Sequence, residues 1–362
     1  MDIKKRDFLL AGAGALAAAP AAAQLQSGNP LHVGYDMPLT RRTQPSTVDR
    51  NYKPRRINKA IELWEDNQPI YYGISGLGPG IDPYAQGLRM ARTHLDAINV
   101  EMEHGALDFS ALREFMRGLV DGGPTPSGHR TPAVFVEPCI IGLDEAYARA
   151  NSWVIQQLLD CGIHGIHICH ARDTKAIQVF SQMSCRYPFP RPGINLPMRG
   201  LRGSSAGYAA QIWGVPLHKY NHLADLWPLN PNGELIFGVK IEDTIADQQA
   251  DTTIALPGIA FAEWGPGDHS YWLDGLSIMD DNSILGDITK LATRPELVKV
   301  GENVRQLCKK NNVRFLHISP NTDPGNPFFV NKEIDEGVMV FETDDEATSI
   351  MGREHSKRKM PV

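Results

Sequence analysis

The chain has 362 residues, of which 42% are hydrophobic, and a formal net charge of −6. This composition is typical of a soluble globular protein long enough for one large α/β domain or two smaller ones. The mild acidity argues against nucleic acid or an anionic membrane surface as the main partner, and no apolar run approaches the ~20 residues of a membrane-spanning helix.

The first 23 residues indicate an export signal rather than part of the fold. Lys4, Lys5 and Arg6 precede the Ala-rich stretch FLLAGAGALAAAPAAA, which ends in small residues suited to cleavage. The order KKRDFLLAGAG resembles a twin-arginine signal in which Lys5 and Arg6 replace the usual arginine pair, so the general secretion route is also open. We expect an exported, periplasmic protein; an uncleaved membrane anchor is the alternative.

Residues 24–56 are polar and rich in Pro, Arg and Thr, which predicts an extended N-terminal arm. From residue 57, short apolar runs alternate with stretches of helical periodicity, a pattern typical of parallel strands joined by crossover helices. Seven candidate strands lie at 70–77, 98–105, 132–138, 165–170, 234–243, 258–266 and 313–319. An eighth, the fifth in chain order, is expected at 200–207 in GLRGSSAG.

Eight such units in roughly 270 residues predict an α/β fold of the (β/α)8 TIM barrel type at 57–350, followed by a basic C-terminal tail at 351–362. A doubly wound sheet is the alternative, but no GxGxxG motif opens a helix after the first strand. The five cysteines form neither a CxxC pair nor an even set, so the sequence signals no disulfide.

Acidic, basic and imidazole side chains follow five of the predicted strands. In a barrel the carboxyl ends of all strands share one rim, where catalytic groups lie. We therefore expect one polar site at that rim. The residues concerned are Glu101, Glu103 and His104, then Glu137, then His167 and His170, then Lys240, Glu242 and Asp243, and finally the segment 265–270.

Glu242 and Asp268 follow adjacent predicted strands, where two carboxylates repel each other unless a cation lies between them. They are candidate ligands for a hard divalent ion, Mg²⁺ or Mn²⁺. Zinc bound by His167, His170 and His269 is a weaker alternative, because the histidines lack HExxH spacing. No GxSxG follows a strand, so no nucleophilic serine is predicted.

Five segments, in this order, resemble the HpcH/HpaI aldolase/citrate lyase family: VEMEHGALD, QQLLDCGIHGIHICHARDTKAI, RGLRGSSA, GVKIEDTIA and GIAFAEWGPGDHS. The resemblance covers about residues 57–345 and is strongest at E-H-G and at G-P-x-D-x-S. It implies a barrel of the phosphoenolpyruvate/pyruvate-domain type and a divalent-metal-dependent lyase, often hexameric. Such enzymes make or break the carbon–carbon bond next to a 2-oxo acid enolate, so the expected partner is a small carboxylate substrate.

The resemblance also implies roles for individual residues. Glu242 and Asp268 become the metal ligands, and His104 becomes the general base, since imidazole titrates near neutrality. Asp160, at the end of QQLLD, would support the site of a neighbouring subunit. The backbone amides of Gly267 and Asp268 would hold a substrate carboxylate. The implied substrate-binding residues are Ser204, Gly265, Pro266, Gly267 and Asp268.

Two positions depart from the family pattern. The third strand ends in Val136-Glu137-Pro138, where the family has V-R-P, and Lys240 stands where the family has glutamine. Both stay catalytic candidates. Lys240 could supply the missing positive charge, the substrate could be other than a pyruvyl compound, or Glu137 could be a third metal ligand. Lys240 as a Schiff-base nucleophile is a further alternative.

Two other classes of function therefore stay open beside an aldolase acting on a hydroxy-oxo acid or related β-hydroxy carbonyl compound. One is a secreted carboxylate-binding protein without turnover, because an anionic Glu137 cannot stabilise an enolate oxygen. The other is a metal-dependent hydrolase on the same barrel.

Overall fold

The computed structural model describes residues 43–274, 290 and 293–362. Eight parallel strands form a closed barrel in which each strand pairs with the next and the last pairs with the first. The strands are β1 Ile70–Ser75, β2 Ala97–Glu101, β3 Ala133–Glu137, β4 Gly165–Ile168, β5 Ile236–Ile241, β6 Phe261–Trp264, β7 Arg314–Ile318 and β8 Val338–Glu342. The predicted signal peptide and residues 24–42 of the predicted arm lie outside the described residues.

Helices connect the strands and cover the outside of the barrel. Their bounds are α1 Lys59–Glu65, α2 Pro83–Met90, α3 Phe109–Gly122, α4 Glu145–Leu159, α5 Thr174–Gln178, α6 Gly207–Trp213, α7 Leu217–Leu223, α8 Thr244–Ile254, α9 Pro266–Asp274, α10 Pro295–Asn311, α11 Val330–Asp335 and α12 Glu346–His355. A π-helical segment, Val179–Ser184, continues α5. No helix among the described residues is long and apolar enough to span a membrane.

The (β/α)8 fold is confirmed, but the sequence placed one strand wrongly. Residues 200–206 form no strand, and Gly207 begins α6. The missing strand is β8, which closes the barrel after α11 and was not recognised in the acidic C-terminal part of the sequence. The fifth strand is therefore Ile236–Ile241, and the predicted sixth and seventh strands are β5 and β6.

Helix α3 shows how the outer layer is specified. Asp108 caps its start, since the side chain accepts hydrogen bonds from the backbone N–H groups of Ser110 and Ala111. Apolar residues at helical spacing, including Leu112 and Phe115, are fully buried on its inner face. Burying such a side chain contributes roughly 1.5–3 kcal/mol, so this face holds the helix to the barrel.

Aromatic rings fill part of the barrel interior. The rings of Tyr72 and Phe135 lie 5.1 Å apart, those of Phe135 and Phe261 lie 5.5 Å apart, and the His167 ring lies 4.7 Å from Phe261. Residues two apart on a strand point to the same side. Glu137 and Glu263, two residues after Phe135 and Phe261, therefore also point inward, one layer closer to the carboxyl ends.

The C-terminal basic residues belong to the base of the barrel. The predicted boundary at residue 350 falls inside α12. Arg353 and Arg358 are fully buried and bind the carboxylate of Asp96, which directly precedes β2, at 3.3 and 2.7 Å. Lys59 binds the same carboxylate at 3.1 Å. Three cations on one buried carboxylate join α1, β2 and the C-terminal segment at the amino ends of the strands.

Candidate active site

Three potential metal donors come together where β2, β4 and β5 end. One atom each of Glu103, His170 and Glu242 lies within 4.8 Å of the others, and we call these three residues the rim cluster. His170 Nε2 lies 3.8 Å from Glu103 Oε1, and His170 Nδ1 lies 3.9 Å from Glu242 Oε1. The three residues follow β2, β4 and β5, and β3 separates the first two of these strands, so the curvature of the closed barrel brings them together.

The side chain of Glu242 packs against Gly265, and any residue with a Cβ atom at that position would collide with it. A Cβ atom on Gly265 would lie 2.6 Å from Glu242 Oε2, well inside van der Waals contact. Glu242 Oε1 accepts a hydrogen bond of 2.8 Å from the backbone N–H of His170. Burial raises the pKa of Glu242 to about 7. The negative charges of Glu103 and Asp268 raise this pKa as well, whereas the positive charges of Lys240 and His170 lower it. The Glu242 carboxyl is thus fixed in position, but the positive charges near it do not offset the effect of burial on its pKa.

His170 is fixed by its backbone and by a carboxylate. Its φ of 46° lies in the left-handed region, which is uncommon for a residue other than glycine. Its Nδ1 lies 2.7 Å from Asp243 Oδ2, which also accepts from Arg172 Nε at 2.7 Å. Burial opposes a charge on the ring, but Asp243 and Glu242 outweigh burial and raise the pKa of His170. Asp243, which also caps α8, therefore determines how the ring is oriented.

A second set of ionisable side chains lies inside the barrel. One atom each of Glu137, His167 and Glu263 lies within 4.8 Å of the others, and we call these three the inner cluster. Glu137 Oε1 lies 3.0 Å from His167 Nδ1 and 2.9 Å from Lys240 Nζ. His167 Nε2 lies 3.6 Å from Glu263 Oε2. Lys240 thus joins the inner cluster to the rim, where its Nζ lies 3.9 Å from Glu103 Oε2.

The charges of these groups follow from their partners. Burial opposes ionisation of Glu137, but Lys240 and His167 outweigh burial and lower the pKa of that carboxyl. Burial also opposes the ammonium charge, yet the surrounding acidic groups raise the pKa of Lys240 well above its ordinary value. Burial raises the pKa of Glu263 well above the usual range, because Lys240 offsets burial only in part and the neighbouring carboxylates add to the rise. The structure therefore pairs a charged lysine with a charged Glu137.

His104 stands at the mouth of the barrel. Its backbone N–H donates to Glu101 Oε1 at 2.6 Å, and its Nδ1 lies 3.6 Å from the same oxygen and 4.0 Å from Glu103 Oε2. Its side chain is 69% exposed, so the ring is accessible to a molecule in the mouth. Glu103 is held by Cys169, whose Sγ donates to Oε2 at 2.9 Å.

The residues after β6 also lie at the mouth. Pro266 begins α9, and Gly267 and Asp268 are partly exposed in its first turn. The backbone N–H groups at the start of a helix favour anions, as expected for a site that holds a carboxylate. His269 points elsewhere, since it is buried and its Nε2 lies 2.8 Å from Asp247 Oδ2 on α8.

Two predicted site residues lie away from this rim within the chain. Asp160 follows the last residue of α4, just before β4, and its Oδ1 accepts from Arg202 at 3.0 Å. Because α4 ends where β4 begins, this pair lies at the amino ends of the strands. Ser204 is exposed two residues after Arg202, on the loop before α6. The glycine-rich segment that carries Ser204 was predicted to be a strand, but it is a loop that lies toward the amino ends of the strands.

The histidines of the zinc alternative are also separated. His167 belongs to the inner cluster and His170 to the rim cluster, while His269 pairs with Asp247. Glu263 and Glu342 also belong to the barrel interior, and neither was predicted from the sequence. Glu263 is the single charged residue in GIAFAEWGP, a signal that could have been used. Glu342, which accepts from the Tyr72 hydroxyl at 2.7 Å, lies on the unrecognised β8.

The residues present fit a divalent metal ion. The rim cluster offers two carboxylates and an imidazole, and such donors suit divalent ions of the first transition series. The missing side chain of Gly265 gives Glu242 Oε2 the room that it occupies. Asp268 is close enough to raise the pKa of Glu242 further, so a cation between these carboxylates would relieve their repulsion.

No protein-family model and no curated protein matches this sequence. Solved structures do match the fold. An HpcH/HpaI aldolase from Desulfitobacterium hafniense DCB-2 is 17% identical, with a TM-score of 0.55 over 82% of this chain and 95% of that chain. An HpcH/HpaI aldolase/citrate lyase family protein from Burkholderia cenocepacia J2315 is 17% identical, with a TM-score of 0.55 over 81% and 94%.

A third solved structure, citrate synthase SbnG, is 15% identical, with a TM-score of 0.53 over 83% of this chain and 96% of that chain. The chain thus spans nearly the full length of all three proteins. At these identities the likeness concerns the fold, which is the closed (β/α)8 barrel of HpcH/HpaI aldolases.

Proposed function

We propose that the protein is a divalent-metal-dependent carbon–carbon lyase of the HpcH/HpaI type, which acts on a hydroxy-oxo acid or a related β-hydroxy carbonyl compound. The observation that carries this proposal is the rim cluster, a set of potential metal donors at the barrel mouth beside a charged lysine and an exposed histidine. The shared fold supports it, because similar structures are named as an aldolase and as an aldolase/citrate lyase family protein.

Glu242 and Asp268 would hold Mg²⁺ or Mn²⁺ in this proposal. A bound divalent ion supplies Lewis acidity, which polarises a carbonyl oxygen. Both residues follow neighbouring strands, and Asp268 acts electrostatically on Glu242. The first turn of α9, with Gly267 and Asp268, would bind the substrate carboxylate through its backbone N–H groups.

His104 would be the general base. Its Nδ1 faces Glu101 and Glu103, which leaves Nε2 directed away from these carboxylates and free to accept a proton. As Nε2 takes the proton of the substrate's β-hydroxyl, the carbonyl forms and the adjacent carbon–carbon bond breaks. The bonding electron pair remains on the fragment that carries the 2-oxo acid, and a proton then converts that fragment to the product.

Lys240 would supply the positive charge that Glu137 cannot. Its ammonium group lies between Glu137 and Glu103 and keeps some exposure toward the mouth. Because the pKa of Lys240 is raised, the amine is protonated at neutral pH and is a poor nucleophile. This favours an electrostatic role toward an oxygen anion of the substrate over a Schiff base.

A substrate panel tests the proposal. The purified chain, with Mg²⁺ or Mn²⁺, is incubated with 4-hydroxy-2-oxo acids and β-hydroxy carbonyl compounds, and released pyruvate and aldehyde are quantified. We expect metal-dependent cleavage that Glu242→Ala abolishes. Saturable binding without a product would instead indicate a carboxylate-binding protein, and release of a carboxylate and an alcohol from ester substrates would indicate a hydrolase.

We also propose that residues 1–23 direct export to the periplasm. The support is the sequence order of Lys5, Arg6 and an Ala-rich segment. Fractionation of cells that express the full chain or residues 24–362 tests it. The full chain should be recovered from the periplasm in a shortened form and the truncated chain from the cytoplasm; equal distribution of both would refute it.

A further inference from the structure

His170 presents one ring nitrogen to the rim and binds a carboxylate with the other. Nδ1 lies 2.7 Å from Asp243 Oδ2, while Nε2 faces Glu103 Oε1 at 3.8 Å. In the neutral ring, a hydrogen bond from Nδ1–H to a carboxylate leaves the lone pair on Nε2. Metal-binding histidines in proteins are commonly oriented in this way by a carboxylate behind the ring.

Several contacts hold this orientation. Asp243 is tied to the start of α8, where its Oδ1 accepts from the backbone N–H groups of Ile245 and Ala246. Its other oxygen accepts from Arg172. The left-handed backbone of His170 is an uncommon conformation for a residue with a side chain, and it persists only where the surroundings enforce it. The ring is therefore preorganised toward the rim.

The other two donors of the rim cluster are held from behind as well. Cys169 donates to Glu103 Oε2 and leaves Oε1 on the side of His170. The backbone N–H of His170 donates to Glu242 Oε1, and Oε2 packs against Gly265, where it fills the place that a Cβ atom would take. Glu103 and His170 thus each have one atom engaged by the scaffold and another facing the cluster, whereas both oxygens of Glu242 are fixed, with Oε1 lying 3.9 Å from His170 Nδ1.

We propose that His170 Nε2 is a direct metal ligand, and that it and Glu103 join Glu242 and Asp268 in a mixed nitrogen–oxygen site that prefers Mn²⁺ and later first-row ions over Mg²⁺. The inference deepens the proposed function and rests on it, since the family resemblance implies only Glu242 and Asp268. Mg²⁺ takes oxygen ligands and keeps several waters, whereas imidazole suits transition metals. An imidazole at the rim therefore shifts the preference away from Mg²⁺.

The test uses the metal alone. Pulsed electron paramagnetic resonance of Mn²⁺ bound to the full chain should show coupling to a ¹⁴N nucleus of a coordinated imidazole. His170→Asn should abolish this coupling, because asparagine can place a donor near Asp243 but has no atom at the position of Nε2. We expect its Mn²⁺ affinity to fall ~10–100-fold, with a smaller loss for Mg²⁺.

Two variants separate ligation from disturbance of the fold. Asp243→Asn keeps the cap of α8 but loses the carboxylate behind His170, so its Mn²⁺ affinity should fall about tenfold or more with ¹⁴N coupling weakened. His104→Asn removes an exposed histidine of the same rim and should leave both the coupling and the affinity unchanged. Thermal unfolding of each variant checks that the barrel is intact.

Bound Mn²⁺ without ¹⁴N coupling in the unaltered chain would overturn the inference, as would equal losses of Mn²⁺ and Mg²⁺ affinity in His170→Asn. Absence of any divalent-ion binding would overturn it together with the metal dependence of the proposed lyase. Coupling without cleavage of any panel substrate would leave the ligand set standing and refute the lyase. Metal-dependent cleavage without ¹⁴N coupling would support the lyase and refute His170 as a metal ligand.

Discussion

Lys240 Nζ lies 2.9 Å from Glu137 Oε1, and both side chains are almost completely enclosed in the barrel. The two positions at which the sequence departs from the HpcH/HpaI pattern are therefore partners in one ion pair. The contact explains how a carboxylate is tolerated at the end of β3. Glu137 does not belong to the rim cluster, because the nearest partners of its carboxylate are Lys240 and His167.

Removing one member of this pair should cost more than removing both. Lys240→Met leaves Glu137 charged and buried, so the free energy of unfolding should fall by about 3–5 kcal/mol, as is typical when a buried ion pair is broken. The double variant Lys240→Met, Glu137→Gln should recover a large part of that loss. Urea denaturation of the four proteins in the cycle measures the coupling, and strictly additive effects would contradict the pairing.

His104→Ala should lower turnover of an identified substrate by ~10²–10⁴ while metal binding stays normal. The reason is that the ring faces the mouth and carries the proton-accepting nitrogen, but belongs to neither cluster of potential metal donors. Steady-state kinetics and a Mn²⁺ titration measure the two properties. His355→Ala removes an exposed histidine paired with Asp335 on the outer helices and serves as a control with unchanged turnover. Turnover of His104→Ala at the unaltered rate would show that this histidine is only a loop residue.

Gly265→Ala should weaken metal binding at least tenfold without unfolding the barrel. The added Cβ would lie 2.6 Å from Glu242 Oε2 and 2.8 Å from Glu242 Cβ, so the carboxylate must move. Loss or displacement of metal-site groups commonly costs ~10–100-fold in affinity. Gly207→Ala is the matched control, because a Cβ there meets no atom within 4 Å. Equal Mn²⁺ affinities of the two variants in calorimetry would show that the space at Gly265 does not position Glu242.

The stability of the protein should depend on the protonation of His164. This ring is buried, stacks on Trp213 with 5.7 Å between centroids, and its Nδ1 accepts from the Val134 backbone N–H at 3.1 Å. Burial lowers the pKa of His164 to about 3. The unfolded chain therefore binds more protons than the folded one below pH 6.5. The contribution of His164 is full above that pH and is lost as the pH falls toward 3, by about 1.4 kcal/mol per unit within this window.

The substitution His164→Asn isolates this effect, since Asn Oδ1 can accept the same hydrogen bond but does not titrate. The advantage of the unaltered chain over the variant should shrink steadily between pH 7 and pH 4 in denaturant unfolding. Taking the difference cancels the titrating groups that do not interact with His164; His129 is not one of these, because its charge adds to the lowering of the His164 pKa. A difference that stays constant over the whole range would refute the assignment.

Asp160 provides a test of a shared site. In its own chain it pairs with Arg202 at the amino ends of the strands, away from His104. If it supports the site of a neighbouring subunit, Asp160→Ala and His104→Ala should each lack activity, and co-expressed subunits should regain it well above either parent. Light scattering should show an oligomer. A mixed oligomer as inactive as its parents would limit Asp160 to its contact with Arg202.

Strand positions and their polar ends could be read from the sequence because both are local properties. Apolar runs such as those at β3 and β5 identify buried strands, and parallel strands in a barrel present their carboxyl ends on one side. This is why Glu242, His104 and the residues around Asp268 could be placed at one rim. β8 carries an apolar run, VMVFE, as clear as that of β3, and it was missed because the eighth strand was assigned to residues 200–207 instead.

The tertiary structure decided which of these groups meet. Glu137 and Lys240 lie on different strands, and their pairing depends on the register and stagger of the closed barrel, for which no local pattern exists. The orientation of the His170 ring depends on the carboxylate of Asp243 behind it. Asp160 and Ser204 lie away from the rim because their segments are at the other end of the barrel. Sequence periodicity determines the face on which a side chain lies, whereas its partners are set by long-range packing that only the folded chain creates.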